Sequence, residues 1–155
     1  MFSILLACHT MIRWLVLISL GTTIYRAVIR LFNNSPFSQK DDQYRHWTAT
    51  IAHIQFVIGM VMYFKSPAIA RFRIIGIDLT RGITEPTFFG IIHISMMITA
   101  VILITLGSAF AKRHEEDNKK HKTLLFYFSI ALLIILAAIP WPFSPLAQRP
   151  FIRNF

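Results

Sequence analysis

Four apolar stretches, each long enough to cross a lipid bilayer, restrict what this chain can fold into. They run near 3–29, 47–64, 88–111 and 123–141, and a hydrocarbon core of about 30 Å takes roughly 20 helical residues. Inside lipid an unpartnered backbone N–H or C=O costs several kcal/mol, so such stretches fold as helices, which satisfy their own backbone. Only 15% of the 155 residues are charged, whereas a soluble domain keeps about a quarter charged. The 16 Lys and Arg lie mostly between the apolar runs, as in membrane loops, and not along one face as in a nucleic-acid binder. A soluble enzyme and a nucleic-acid partner are excluded. The expected fold class is an all-α membrane protein, a single up-down-up-down bundle of four transmembrane helices in contact with membrane lipids.

The connections read as follows. The stretch 33–42 is rich in Asn, Ser and Asp and holds Pro36, so it is expected to be a solvated loop. The charged hairpin 112–122 makes the third and fourth helices antiparallel neighbours. The segment 66–87 mixes Phe72, Ile74, Ile75 and Ile77 with arginines and is expected to lie at the interface or fold back over the bundle. In the tail 142–155 and just before it, Pro140 and Pro142 stop the last helix, and Trp141 suits the headgroup level. Arg13 interrupts the first apolar run, which lacks a basic leader and a small-residue cleavage site, so this run reads as a lasting helix and not as a signal peptide. Cys8 is the one cysteine, which leaves no intrachain disulfide and no cysteine-based zinc or iron–sulfur site.

Loops one and three carry Arg26, Arg30, Lys40, Arg45, Lys112, Arg113, Lys119, Lys120 and Lys122. The second loop and the tail carry fewer cations: Lys65, Arg71, Arg73, Arg81, Arg149 and Arg153. The positive-inside rule therefore places loops one and three in the cytoplasm and both termini outside.

Ionisable groups inside a bilayer are expensive and point inward to a task. His9 and Arg13 lie on the first helix, His53 on the second and His93 on the third, and every Asp and Glu falls in a loop. With no carboxylate in a span, a cation transporter has little to bind its cargo with. His9 and His93 sit about one and a half turns from the same end of two helices that face each other diagonally. Two imidazoles at matched depth are the arrangement of a bis-histidine haem, with both axial positions closed. Arg13 follows His9 by four residues on the same face, where its cation meets a haem propionate, a quinone carbonyl or a lipid phosphate. His53 is a candidate for a second haem or a quinone. His46 and His121 lie at helix edges among charged residues and read as solvated. Gln55, Ser19, Thr22, Thr23, Ser95, Thr99 and Thr105 read as helix–helix hydrogen-bonding groups, Gly21, Gly59, Gly90 and Gly107 as points of close approach, and Met60, Met62, Met96 and Met97 as packing.

Several runs carry a resemblance: Cys8-His9-Thr10-Met11-Ile12-Arg13-Trp14, Ala52-His53-Ile54-Gln55 with Gly59 and Tyr63-Phe64-Lys65-Ser66-Pro67, Phe88-Phe89 with His93-Ile94-Ser95-Met96-Met97, and Ile139-Pro140-Trp141-Pro142-Phe143. Together they resemble a family of small four-helix membrane proteins common in Bacteroidetes-type bacteria and usually labelled cytochrome b-like. The resemblance covers nearly the whole chain. It implies a haem link and a place in the bacterial inner membrane, with His9, Arg13, His53 and His93 as the matching polar positions. Where the family commonly has an acidic residue before the third-helix histidine, this chain has Ile92, so no carboxylate stands there to orient the imidazole.

Two functions follow as expectations. The first is a haem-b membrane protein that passes electrons, exchanging them with a quinone or a redox protein. Here His9 and His93 are axial ligands, Arg13 holds a propionate, and a second haem is present if His53 takes part. The other is a non-catalytic accessory subunit of a larger respiratory complex. Either is an electron carrier or a subunit more than a stand-alone enzyme.

Overall fold

The computed structural model describes residues 2–76 and 83–142, and every regular element among them is helical. The elements are α1 (Phe2–Phe32), α2 (Gln39–Lys65), the short α3 (Pro67–Ile75), α4 (Glu85–Arg113) and α5 (Asp117–Ala138). The four long ones are apolar enough to span a membrane. α1 packs on α2 and α5, and α4 packs on the same two, so α1 and α4 stand diagonally across an antiparallel bundle. The all-α four-span architecture read from the sequence is the one observed.

The core between the helices is thin. Leu20 of α1, Ala100 and Ile104 of α4 and Phe128 and Ala131 of α5 are fully buried, while large apolar side chains such as Ile18 (63% exposed) and Leu133 (67%) face outward. A water-soluble bundle reverses that balance, and here the surrounding medium completes the burial. Packing relies on small residues where helices come close. At Gly107 of α4 a Cβ would lie 2.5 Å from the Cβ of Tyr127 on α5, so only glycine lets the two backbones approach this far.

The structure corrects the reading of 33–42 as a solvated loop, which is confined to residues 33–38. Asn34, at φ 46°, closes α1 in a left-handed conformation that asparagine tolerates. Ser35 N–H then reaches the Arg30 carbonyl and Asn34 N–H the Leu31 carbonyl, satisfying the orphan carbonyls of a helix end. α2 starts at once, because Ser38 and Asp41 form a reciprocal capping box. Asp41 is 4% exposed, with Arg26 at 2.6 Å and Arg30 at 3.5 Å from its carboxylate oxygens. Arg45, counted above among the loop cations, is also buried inside α2. It pairs with Asp42 at 2.7 Å and donates to Ser108 Oγ on α4 at 2.6 Å. This end of the bundle is therefore clamped by buried charge, α1 to α2 and α2 to α4.

The described first part of the segment, residues 66–76, folds back over the other end, as one of the two expectations had it: α3 buries Ile69 and lays Phe72 against Gly90. Ile77 and Arg81, and the tail from 143 onward, lie outside the described residues. α5 ends at Ala138, just before Pro140.

Two outcomes test this packing. Gly107→Ala is expected to cost about 1–3 kcal/mol through overpacking, whereas Gly21→Ala, with open space around its position inside α1, is expected to raise stability by up to about 1 kcal/mol; thermal unfolding in detergent compares them. Asp41→Ala removes a cap and leaves two arginines without their shared carboxylate, which lowers stability by about 3 kcal/mol in the same measurement.

Candidate functional site

At the end opposite the Asp41 clamp the helices splay around a cavity of about 380 Å³, within the range of small-molecule sites. Its walls are the first turns of α1, the last turns of α2, α3, the first turns of α4 and the end of α5. Most of the lining is apolar, including Phe56, Phe89, Met60, Met62 and Met97. His9, Arg13, Gln55 and His93 converge on it, with Thr10, Tyr63, Ser66 and Glu85 as further polar side chains of the wall; Glu85 opens α4, which corrects the expectation that every Asp and Glu falls in a loop. The diagonal placement of α1 and α4 predicted from the sequence thus brings His9, Arg13 and His93 to one space.

Proline chemistry at the end of α5 orients His93. In a continuing helix the carbonyls of Leu136 and Ala138 would accept from residues 140 and 142. Both are prolines and have no N–H. The freed Leu136 carbonyl accepts from the Trp141 indole at 2.8 Å, and the freed Ala138 carbonyl meets His93 Nδ1 at 2.9 Å. A carbonyl only accepts, so His93 Nδ1 carries the hydrogen and Nε2 keeps its lone pair. A histidine that binds metal through one ring nitrogen usually has the other held by such a hydrogen bond. Phe88 and Phe89 flank the ring at 5.9 and 5.8 Å between centroids.

His9 is held differently. Its ring rests on Gly59 of α2, where a Cβ would come within 3.1 Å of Cε1. Its backbone carbonyl accepts from Gln55 Nε2 at 2.9 Å. Among the described residues, buried His9 Nδ1 has no hydrogen-bond partner, and the same holds for Gln55 Oε1. An unsatisfied buried nitrogen costs roughly 1–3 kcal/mol, so this ring is in place for something other than stability. Arg13, one turn further along α1, lies 5.5 Å from the centroid of Trp14, which in turn meets Trp141 edge-on.

His53 stands apart from this group. It is exposed on α2, with Nε2 2.9 Å from Thr105 Oγ1 of α4, and it does not line the cavity. His46 is exposed as expected, but the reading of His121 as solvated is corrected. His121 is 1% exposed, packed 5.0 Å from the ring of Phe37 at the clamped end, because the helix starts at Asp117 and carries its first turns into the bundle. The methionines read as packing are in part cavity wall. The signal lies in α2, where Ala52, Gln55, Phe56, Gly59, Met60 and Tyr63 recur at helical spacing around one face.

In the ligand-free protein, His9→Leu replaces an unsatisfied nitrogen with apolar surface and is expected to raise thermal stability by about 1 kcal/mol. A fall instead would show that Nδ1 has a partner. Comparison of the chain with protein-family models, with curated proteins and with solved structures gives no match.

Proposed function

We propose that this protein binds haem b in the cavity between α1 and α4 and passes electrons within the membrane, with His9 and His93 as axial ligands and Arg13 as the cation for a propionate. One observation carries the reading. Histidines from two diagonal helices open on one largely apolar cavity, and the Pro140-Trp141-Pro142 turn commits one nitrogen of His93 so that the other is basic.

The residues fit the group in three respects. His93 Nε2 is a neutral imidazole donor of the kind haem iron takes. His9 lines the same cavity from the diagonal helix. The apolar wall matches a macrocycle, and a guanidinium is the usual recognition group for carboxylates. Haem bound there would supply a one-electron couple. The chain's own part is to keep the two imidazoles neutral and fixed, to exclude water with Phe89, Met97 and Ile104, and to place one positive charge at the edge of the site. A haem held by both histidines would be suited to electron transfer over oxygen chemistry. A membrane quinone or a redox protein is the partner for that transfer.

A place in a larger membrane assembly is supported by a separate observation at His53. Thr105 spends its hydroxyl hydrogen on the Val101 carbonyl at 2.7 Å, so its oxygen accepts from His53 Nε2–H. The Nδ1 lone pair of His53 then faces outward near the middle of a 27-residue span. Lipid tails offer it no donor, and a helix of a neighbouring subunit or a quinol hydroxyl does.

The reduced-minus-oxidised visible spectrum of the detergent-purified protein, with a pyridine haemochrome assay, tests the reading. A b-type spectrum at a single haem per chain is expected, lost in His9→Ala and in His93→Ala and kept in His53→Ala. A colourless wild-type protein, or an unchanged spectrum in both ligand variants, overturns it.

A further inference from the structure

We propose that α2, which contributes no ligand, is the positioning element of the site, and that Tyr63 is the residue through which it sets His93. The proposal rests on the reading of His9 and His93 as a ligand pair.

Gln55, Gly59 and Tyr63 follow one another at four-residue spacing, so they form a single stripe on α2. Every member of the stripe touches the support of a histidine. Gln55 Nε2 donates to the backbone carbonyl of His9 at 2.9 Å. Gly59 leaves the His9 ring its space, the nearest ring atom lying 3.1 Å from where a Cβ would be. Tyr63 Oη donates to the carbonyl of Gly90 at 3.1 Å, three residues before His93.

Gly90 sits in an unusual piece of backbone. Phe88–Ile92 forms a π-helical turn, and His93 N–H reaches the Phe88 carbonyl, five residues back instead of four. One extra residue in a turn rotates all that follows by about 100° relative to a regular α-helix. The turn therefore decides which way His93 faces, and π-turns of this kind recur at functional sites. Two groups hold it from outside. The Phe72 ring of α3 lies where only glycine admits it, 2.7 Å from a Cβ placed on Gly90, and Tyr63 grips the carbonyl of the same residue. With Tyr63 released, the turn can relax toward regular helix, and His93 turns away from the Ala138 carbonyl and from the cavity.

A bond that merely joined α2 to α4 would behave like His53–Thr105, which links the same two helices at 2.9 Å away from the cavity. That pair is the control. Tyr63→Phe keeps the ring and removes only the donor. In the purified full-length protein it is expected to retain haem but to let the ferrous form bind carbon monoxide in a several-fold larger fraction than wild type, because a misaimed His93 leaves an axial position open. Thr105→Val is expected to show the carbon monoxide reactivity of wild type. In parallel, amide hydrogen exchange across residues 88–93 is expected to speed up about fivefold in Tyr63→Phe, the effect of losing one ordinary hydrogen bond, and to stay unchanged in Thr105→Val.

Wild-type carbon monoxide reactivity in haem-loaded Tyr63→Phe overturns the proposal. If the wild-type protein is colourless, the electron-transfer reading falls separately and exchange alone decides. Faster exchange confined to Tyr63→Phe keeps Tyr63 as the residue that sets His93, and unchanged exchange removes it.

Discussion

A polar group inside hydrocarbon has no water to turn to, and the internal order of this bundle follows from that constraint. The hydroxyls of Thr10, Thr22, Thr50, Thr99 and Thr105 each return to the carbonyl four residues earlier on their own helix. Thr23 and Thr48 pair across α1 and α2 at 2.9 Å, and Arg45 spends its charge on Asp42 and Ser108. Against this background the unsatisfied buried atoms stand out. Among the described residues two of them, His9 Nδ1 and Gln55 Oε1, belong to residues that line the cavity, while His121 Nε2 lies at the clamped end.

The two ends of the bundle divide the labour. At one end Asp41 gathers Arg26, Arg30 and the Ser38 cap, Arg45 reaches across to α4, and His121 is shut in against Phe37. Such a cluster holds only while all its members are present, which makes this end stiff. At the other end the same helices separate around about 380 Å³ of space, and a cavity costs dispersion contacts on all its walls. The short loop of residues 33–38 and the capping box keep α1 and α2 in register at the clamped end. The helices can then diverge at the far end without slipping past one another.

Much of the fold was legible in the sequence, because span length and the absence of charge from the spans are strong signals. The bundle, the diagonal pairing of the first and third spans and the approach of His9 and His93 to one space followed from counting residues, while the fold-back after α2 was one of two readings of a mixed composition. What counting missed was polar chemistry at helix starts. Ser38-Gln39-Lys40-Asp41 has the spacing of a capping box, but its loop-like composition hid a helix that begins eight residues before the expected 47. His121 went the same way, since its charged neighbours suggested solvent while the helix carried it into the core. The π-turn left no signature that periodicity could detect, because Phe88-Phe89-Gly90-Ile91-Ile92 reads as ordinary apolar helix. Only Gly90, with rings of two other helices upon it, marks the place.

Diagonal placement explains why so much of the support lies on helices that carry neither His9 nor His93. α1 and α4 are separated by the width of the bundle, so neither histidine can orient the other through its own helix. α2 and α5 each touch both. α5 ends where Pro140 and Pro142 withhold two N–H groups, and the carbonyl left over at Ala138 fixes the tautomer of His93. α2 fixes the His9 backbone through Gln55 and the turn before His93 through Tyr63. A histidine pair set in this way depends on the relative height of two flanking helices, and that height is locked at the far end by Asp41 and Arg45. The buried charge at one end of the molecule thus serves the geometry of the histidines at the other, with rigid helices as the link.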